Sequence, residues 1–221
     1  MYVLRGRRES LAADLAATDD LVERTRDTGE PGVRVWRPPK NVAFGRRDGN
    51  RDGYERAREA ATAHGYPIAE RSVGGHAVAF TGSTVAFAVA EPVEDSRTGI
   101  TDRYDRVTGR VNAALEELGV DAHEGEPEGA FCPGTHSLSG TGKIAGLAQR
   151  VHSDVAVTSG ILLVEDHEAV ADVLAPIYDA LAVDFEREAV GSIARAGGDT
   201  DRVVESLIDR LTAGSVTVDS V

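Results

Sequence analysis

Residues 85–90 read Val-Ala-Phe-Ala-Val-Ala, and this strict alternation constrains the fold more than any other feature of the chain. In a strand, successive side chains point to opposite faces. Val85, Phe87 and Val89 therefore put bulk on one face, while Ala86, Ala88 and Ala90 put only methyls on the other. The same six residues are the longest unbroken apolar stretch, far short of the ~20 residues a membrane helix needs. At 221 residues the chain is long enough for one good-sized core and short for two. The expected organisation is a single domain over residues 1–213, followed by a loose tail at 214–221.

The remaining pattern alternates short strands with single helices. Leu11, Leu15 and Val22 mark a first helix that ends near Gly29. Residues 33–36 read as a strand stopped by Pro38-Pro39, and 41–44 as a short extended piece. Tyr54, Ala57 and Ala61 give helical spacing over 52–64, with Gly65 as the stop. Residues 68–90 are expected to form two strands joined near Gly82-Ser83. Ile100, Tyr104, Val107, Val111, Leu115 and Leu118 recur at three and four, an amphipathic helix. Residues 143–151 and 155–164 form a second strand pair, and two helices follow, one carrying Leu174 and Ile177, the other Leu207 and Leu211. Strands in pairs separated by single helices predict an α+β fold with mostly antiparallel or mixed sheets flanked by helices.

Charge and cysteine usage exclude several functions. Twenty-four Lys and Arg against thirty-seven Asp and Glu leave a formal charge of −13, which repels phosphate backbones and argues against nucleic acid as a partner. Only Lys40 and Lys143 are lysines. An acidic, lysine-poor surface is the expectation for a halophilic protein working in concentrated salt. The first residues lack the apolar core of a secretory signal, so the expected location is cytoplasmic, with no membrane partner. The lone Cys132 rules out an internal disulfide and a multi-thiolate zinc site, so no metal site is expected. There is no H-E-x-x-H pair, no G-x-S-x-G elbow, and Gly142-Lys143 lacks the flanking residues of a P-loop.

Three segments carry the remaining chemistry: 70–78, 131–136 and 142–150. Gly74-Gly75 reads either as a hairpin turn or as backbone able to approach a ligand with open N–H donors, with Arg71 before it as a clamp for an anion. Cys132 reads either as a small buried hydrophobe or, because Pro-Gly follows it, as a turn-borne nucleophile. A thiol near its ordinary pKa of ~8.5 needs a cation or base beside it, and Lys143, eleven positions on, is the expected one. In a chain that uses arginine for nearly every cation, Lys143 is either a solvated strand residue or a compact donor in a narrow pocket. His76 and His136 rank above His152 as bases because they lie inside the glycine-containing segments.

Together these segments resemble the lipoate–protein ligase and octanoyltransferase family, the biotin/lipoate protein ligase type of catalytic domain. Residues 71–78 match its Arg-x-x-Gly-Gly-x-x-Val stretch, and 142–150 match Gly-Lys-Ile-x-Gly-x-Ala-Gln-Arg. Phe-Cys-Pro-Gly at 131–134 is similar to the cysteine-dependent octanoyl and lipoyl amidotransferases. That resemblance implies an acyltransferase that loads lipoyl domains, such as glycine cleavage H protein and 2-oxoacid dehydrogenase E2, through a cysteine thioester. It would make Cys132 the nucleophile and Lys143 the pocket lysine, with Arg71, Gly74, Gly75, His76, Gly142 and Gly146 binding substrate and His136 as a base. No cofactor is implied on this route. The alternative is an ATP-dependent lipoate ligase, or its catalytic subunit, working with ATP and Mg through lipoyl-adenylate. Against that branch, His76 stands where ligases carry a third glycine and Phe80 where they carry a histidine.

Overall fold

The computed structural model describes residues 1–71, 74–212 and the backbone of 217–220. The elements run β1 (Tyr2–Arg5), α1 (Leu11–Thr28), β2 (Gly32–Trp36), β3 (Asn41–Phe44), α2 (Tyr54–Ala63), β4 (Ile68–Glu70), β5 (Val78–Phe80), β6 (Val85–Pro92) and α3 (Ile100–Glu117), then β7 (His123–Glu124), β8 (Ser137–Gly140), β9 (Gly142–Val151), β10 (Val155–Leu162), α4 (His167–Ala180), α5 (Val203–Leu211) and β11 (Thr217–Ser220). The strands make two sheets, ordered β11-β1-β2-β6-β10-β9-β8-β7 and β4-β3-β5. Pairing is antiparallel except for β11 with β1, β1 with β2, and β3 with β4. This is the mixed, helix-flanked architecture the element order predicts.

The alternation in β6 organises the large sheet. Val85, Phe87 and Val89 join Val107, Val111 and Leu115 of α3 and Leu207 and Leu211 of α5 in one apolar core. Ala88 and Ala90 face the opposite way and pack with Tyr2, Leu21 and Val22 under α1. That helix begins at Ser10, whose hydroxyl accepts from the Ala13 amide, and ends at Gly29 in the left-handed region. The small sheet packs against α2 and α4 through Val42, Phe44, Ala57, Ala61, Leu174 and Ile177. Between the methyl face of the large sheet and the edge of the small one lies a cleft of about 710 Å³.

Two expectations are corrected. Residues 68–90, expected as two strands, hold three: β4 and β5 pair with β3 in the small sheet, and β6 lies between β2 and β10 in the large one. The turn between β5 and β6 is fastened by hydroxyls, with the Thr81 amide donating to Thr84 Oγ1 at 2.9 Å and Thr81, Ser83 and Thr84 linked side chain to side chain. Those bonds redirect the chain between sheets, where a hairpin would have paired backbone with backbone. Residues 217–220, expected as loose tail, form β11, with Val218 opposite Val3; β1 would otherwise leave an unpaired strand edge there. The rest of that tail, 214–216 and 221, lies outside the described residues, as do Ser72 and Val73 of the first motif.

Candidate active site

Cys132 lines the cleft on the turn that leads into β8. Its φ of 42° is in the left-handed region, a conformation that costs a non-glycine residue about 1–2 kcal/mol. Tyr178 of α4 holds it there: the Cys132 amide donates to the tyrosine oxygen at 2.6 Å, and the tyrosine O–H donates to the Ala77 carbonyl at 3.0 Å. Burial first, then the neighbouring Cys132, push the Tyr178 hydroxyl well above its ordinary pKa, so it remains a neutral donor.

The sulfur faces two donors from the glycine loop. The His76 amide points at Sγ from 3.4 Å, and Arg71 Nη2 lies 3.9 Å from it while donating to the His76 carbonyl at 2.6 Å. Gly75 between them has φ 89°, and a Cβ there would come within 2.7 Å of the sulfur. Only glycine satisfies both conditions. The cation beside the thiol is therefore Arg71, where the sequence pointed to Lys143.

Lys143 is fully buried and lines the same cleft, with its ammonium on the peptide chain of the Cys132 turn. Nζ donates to the carbonyls of Phe131 and Cys132, each at 2.9 Å, and to Glu126 Oε2 at 2.7 Å. These three acceptors match the three protons of an ammonium. Glu126 in turn accepts from the Gly134 amide at 2.8 Å and from Ser137 Oγ at 2.9 Å. The Lys143–Glu126 pair thus staples 131–137 from both sides.

The other expected residues separate. Gly74, Gly75 and Gly146 line the cleft; Gly142 does not. Gly142 has φ 87° and abuts residues 189–191, where a Cβ would meet the Gly191 nitrogen at 2.7 Å, and the Gly191 amide donates to the Lys143 carbonyl at 2.9 Å. His136 lines the cleft and stacks flat on Tyr104, ring centroids 3.6 Å apart. The His76 ring leaves the cleft and binds buried Asp48, Nδ1 to Oδ1 at 2.7 Å.

A family model described as the lipoyl protein ligase A/B catalytic domain matches residues 10–214. The chain belongs to this family. Among curated relatives, an octanoyl-(GcvH):protein N-octanoyltransferase of Kyrpidia tusciae is 34% identical over 153 residues, which cover 67% of this chain and 50% of the relative. Octanoyltransferase LipM of the same organism is 29% identical over 244 residues, covering 94% and 88%. The chain spans about half the length of the octanoyl-(GcvH) transferases it matches. A solved lipoate-protein ligase A bound with ATP aligns over 100% of this chain and 88% of its own, with TM-score 0.78 and 20% identity, which shows a shared fold.

Within this family fold, sequence reasoning missed Glu126, Tyr178 and Asp48. Glu126 sits in an acidic loop that composition reads as solvated, and Tyr178 on a helix whose periodicity reads as core. For Asp48 the only signal was an acidic residue in a Gly- and Arg-rich turn, which says nothing about burial.

Proposed function

We propose that this chain moves an octanoyl or lipoyl group from one lipoyl-domain lysine to another through a thioester on Cys132. The observation that carries the reading is the sulfur's place in the cleft wall, with the His76 amide at 3.4 Å and the Arg71 guanidinium at 3.9 Å. Both donors converge on the atom that attacks in this reading. The likeness to curated octanoyltransferases and to LipM supports the same chemistry.

In the first half-reaction the thiolate adds to the carbonyl carbon of the donor's acyl-lysine amide. The C–N bond then breaks, the leaving amine takes a proton, and the acyl group remains as a thioester. In the second, the acceptor lysine, deprotonated, adds to the thioester carbon and the C–S bond breaks, restoring the thiolate. The acyl oxygen, where negative charge develops, lies against the Gly74-Gly75 backbone. His136 is the proton carrier in this reading, because it lines the cleft and the His76 ring does not. Lys143 and Tyr178 position the turn, since their donors are already engaged by protein atoms. The methyl floor of Ala86, Ala88 and Ala148 suits a straight apolar chain.

The ligase alternative asks the Gly74-Gly75 turn to hold a nucleotide phosphate. The space over Gly75 is filled by the cysteine sulfur, and the His76 amide is directed at that sulfur. A phosphate at Gly75 would have to displace that sulfur, which counts against the ligase. The lipoyl-domain partners we propose are H-protein and E2 types. From composition we infer a cytoplasmic protein of a high-salt habitat, for which the melting temperature should rise with molar KCl.

Mixing the chain with an octanoylated lipoyl domain and an unmodified one tests the function. Intact mass should report transfer without ATP. Acylation of the acceptor only from free octanoate or lipoate plus ATP, with pyrophosphate release, would overturn the reading in favour of the ligase.

A further inference from the structure

Asp48 is completely buried, and both of its oxygens are engaged by the loops around Cys132. Oδ1 accepts from His76 Nδ1 at 2.7 Å, and Oδ2 accepts from the Gly45 amide at 2.9 Å. The Asp48 amide closes the same turn by donating to the Gly45 carbonyl at 3.0 Å. A carboxylate facing Nδ1 places a ring proton on that nitrogen. Residue 76 is then held at two points, by the ring on Asp48 and by the carbonyl on Arg71, and its amide is left facing the sulfur. The next residue, Ala77, gives its carbonyl to Tyr178, which also holds the Cys132 amide. Among the described residues, the charged or titratable groups around the pair are these. Arg71 and Tyr178 face Cys132, with Lys143 on its carbonyl; Asp48, Arg71 and Tyr178 adjoin His76.

We propose that Asp48 is a positioning residue for Cys132: through His76 its carboxylate fixes the glycine loop so that the His76 amide and the Arg71 guanidinium converge on the sulfur. The proposal rests on the reading of Cys132 as nucleophile, but its test does not require acyl transfer. Two roles for Asp48 predict opposite signs. Acting only through space, an anion near the sulfur disfavours the thiolate, so removing its charge raises thiol reactivity. Acting through the loop, it holds two donors in place, so removing it lowers reactivity.

The measurement is the rate at which iodoacetamide alkylates Cys132, the single cysteine of the chain, followed by intact mass alongside thermal unfolding. Asp48→Asn keeps the shape and loses one of the two accepted bonds. Its alkylation rate at pH 7 should fall about tenfold, the weight of one charge-assisted contact. The fall should shrink at pH 9.5, where an ordinary thiol is mostly ionised. His76→Ala should give a similar loss, with the double variant no worse than either single one. His76→Asn, whose amide donates in the place of Nδ1–H, should restore most of the rate. If Asp48→Asn does not fold, the comparison of His76→Ala with His76→Asn decides. An unchanged or faster rate in folded Asp48→Asn, or equal rates in the two His76 variants, overturns the proposal. If these rates behave as expected while no acyl group is transferred, the positioning role stands and the transferase reading falls.

Discussion

The two faces of the large sheet are built on opposite principles. On the face under α3 and α5, strand and helix residues meet as an apolar core whose members include Val85, Phe87, Val111 and Leu115. On the other face the methyls of Ala86 and Ala88 leave the space that becomes the cleft, and its far wall is polar and bonded atom by atom. There a left-handed cysteine, a buried tyrosine, a buried lysine and a buried aspartate sit within one shell. The first face gains stability from area removed from water, which tolerates change in proportion to volume. The second consists of polar groups that are expensive when any partner is lost. Stability and chemistry are thus assigned to different sides of the same strand.

Substitutions on the two sides should separate these roles. The largest expected effect is on chemistry alone: Cys132→Ser should reduce transfer at least about 1000-fold, or ~4 kcal/mol in the barrier, with an unchanged melting transition. Lys143→Ala should harm both properties, because it strands Glu126 and two carbonyls; a loss of about 3–5 kcal/mol in denaturant unfolding is expected. Leu115→Ala, on the apolar face, should cost about 2–5 kcal/mol while the folded fraction keeps its specific activity. A drop in specific activity there would break the separation.

Tyr178→Phe sharpens the contrast further. It leaves the Cys132 amide and the Ala77 carbonyl unpaired, at about 1–3 kcal/mol for each, and activity should fall more than stability. Its pH signature has a definite sign. The folded-state pKa of Tyr178 is raised above the unfolded value near ~10. The unfolded chain therefore releases this proton first, and stability falls as pH rises above ~10. Urea unfolding at pH 9 and pH 11 should show a smaller alkaline loss in Tyr178→Phe than in the parent. The remaining slope belongs to the other buried tyrosines, such as Tyr2 and Tyr66.

Much of this was legible before any coordinates. Periodicity located the helices α1 to α5, and the alternation at 85–90 assigned Phe87 and Ala88 to different environments because side-chain direction in a strand depends only on position. The short strands β1, β7 and β8 were not legible; two to four residues carry too little pattern, and their pairing depends on partners far along the chain. At the site, the motifs brought Arg71, Gly75, Cys132 and Lys143 to one cleft. They did not reveal which cation serves the sulfur. Spacing placed Lys143 within reach, but only the fold shows its three protons taken by Glu126, Phe131 and Cys132. Gln149, in the same motif, is likewise engaged by protein atoms: it accepts from Arg103 of α3 and donates to Thr158 of β10. Tyr178 and Asp48 were hidden for a common reason: the value of a buried polar group lies in its partners, and those come from distant segments.

The most direct test of the account is an acid-quenched intact-mass measurement on the full chain, taken within the first turnovers after mixing with an octanoylated lipoyl domain. The account predicts a mass increase of one octanoyl group on the parent protein, labile to hydroxylamine and absent from Cys132→Ser. Acceptor acylation with no such adduct on the enzyme, or an adduct that persists in Cys132→Ser, would contradict it.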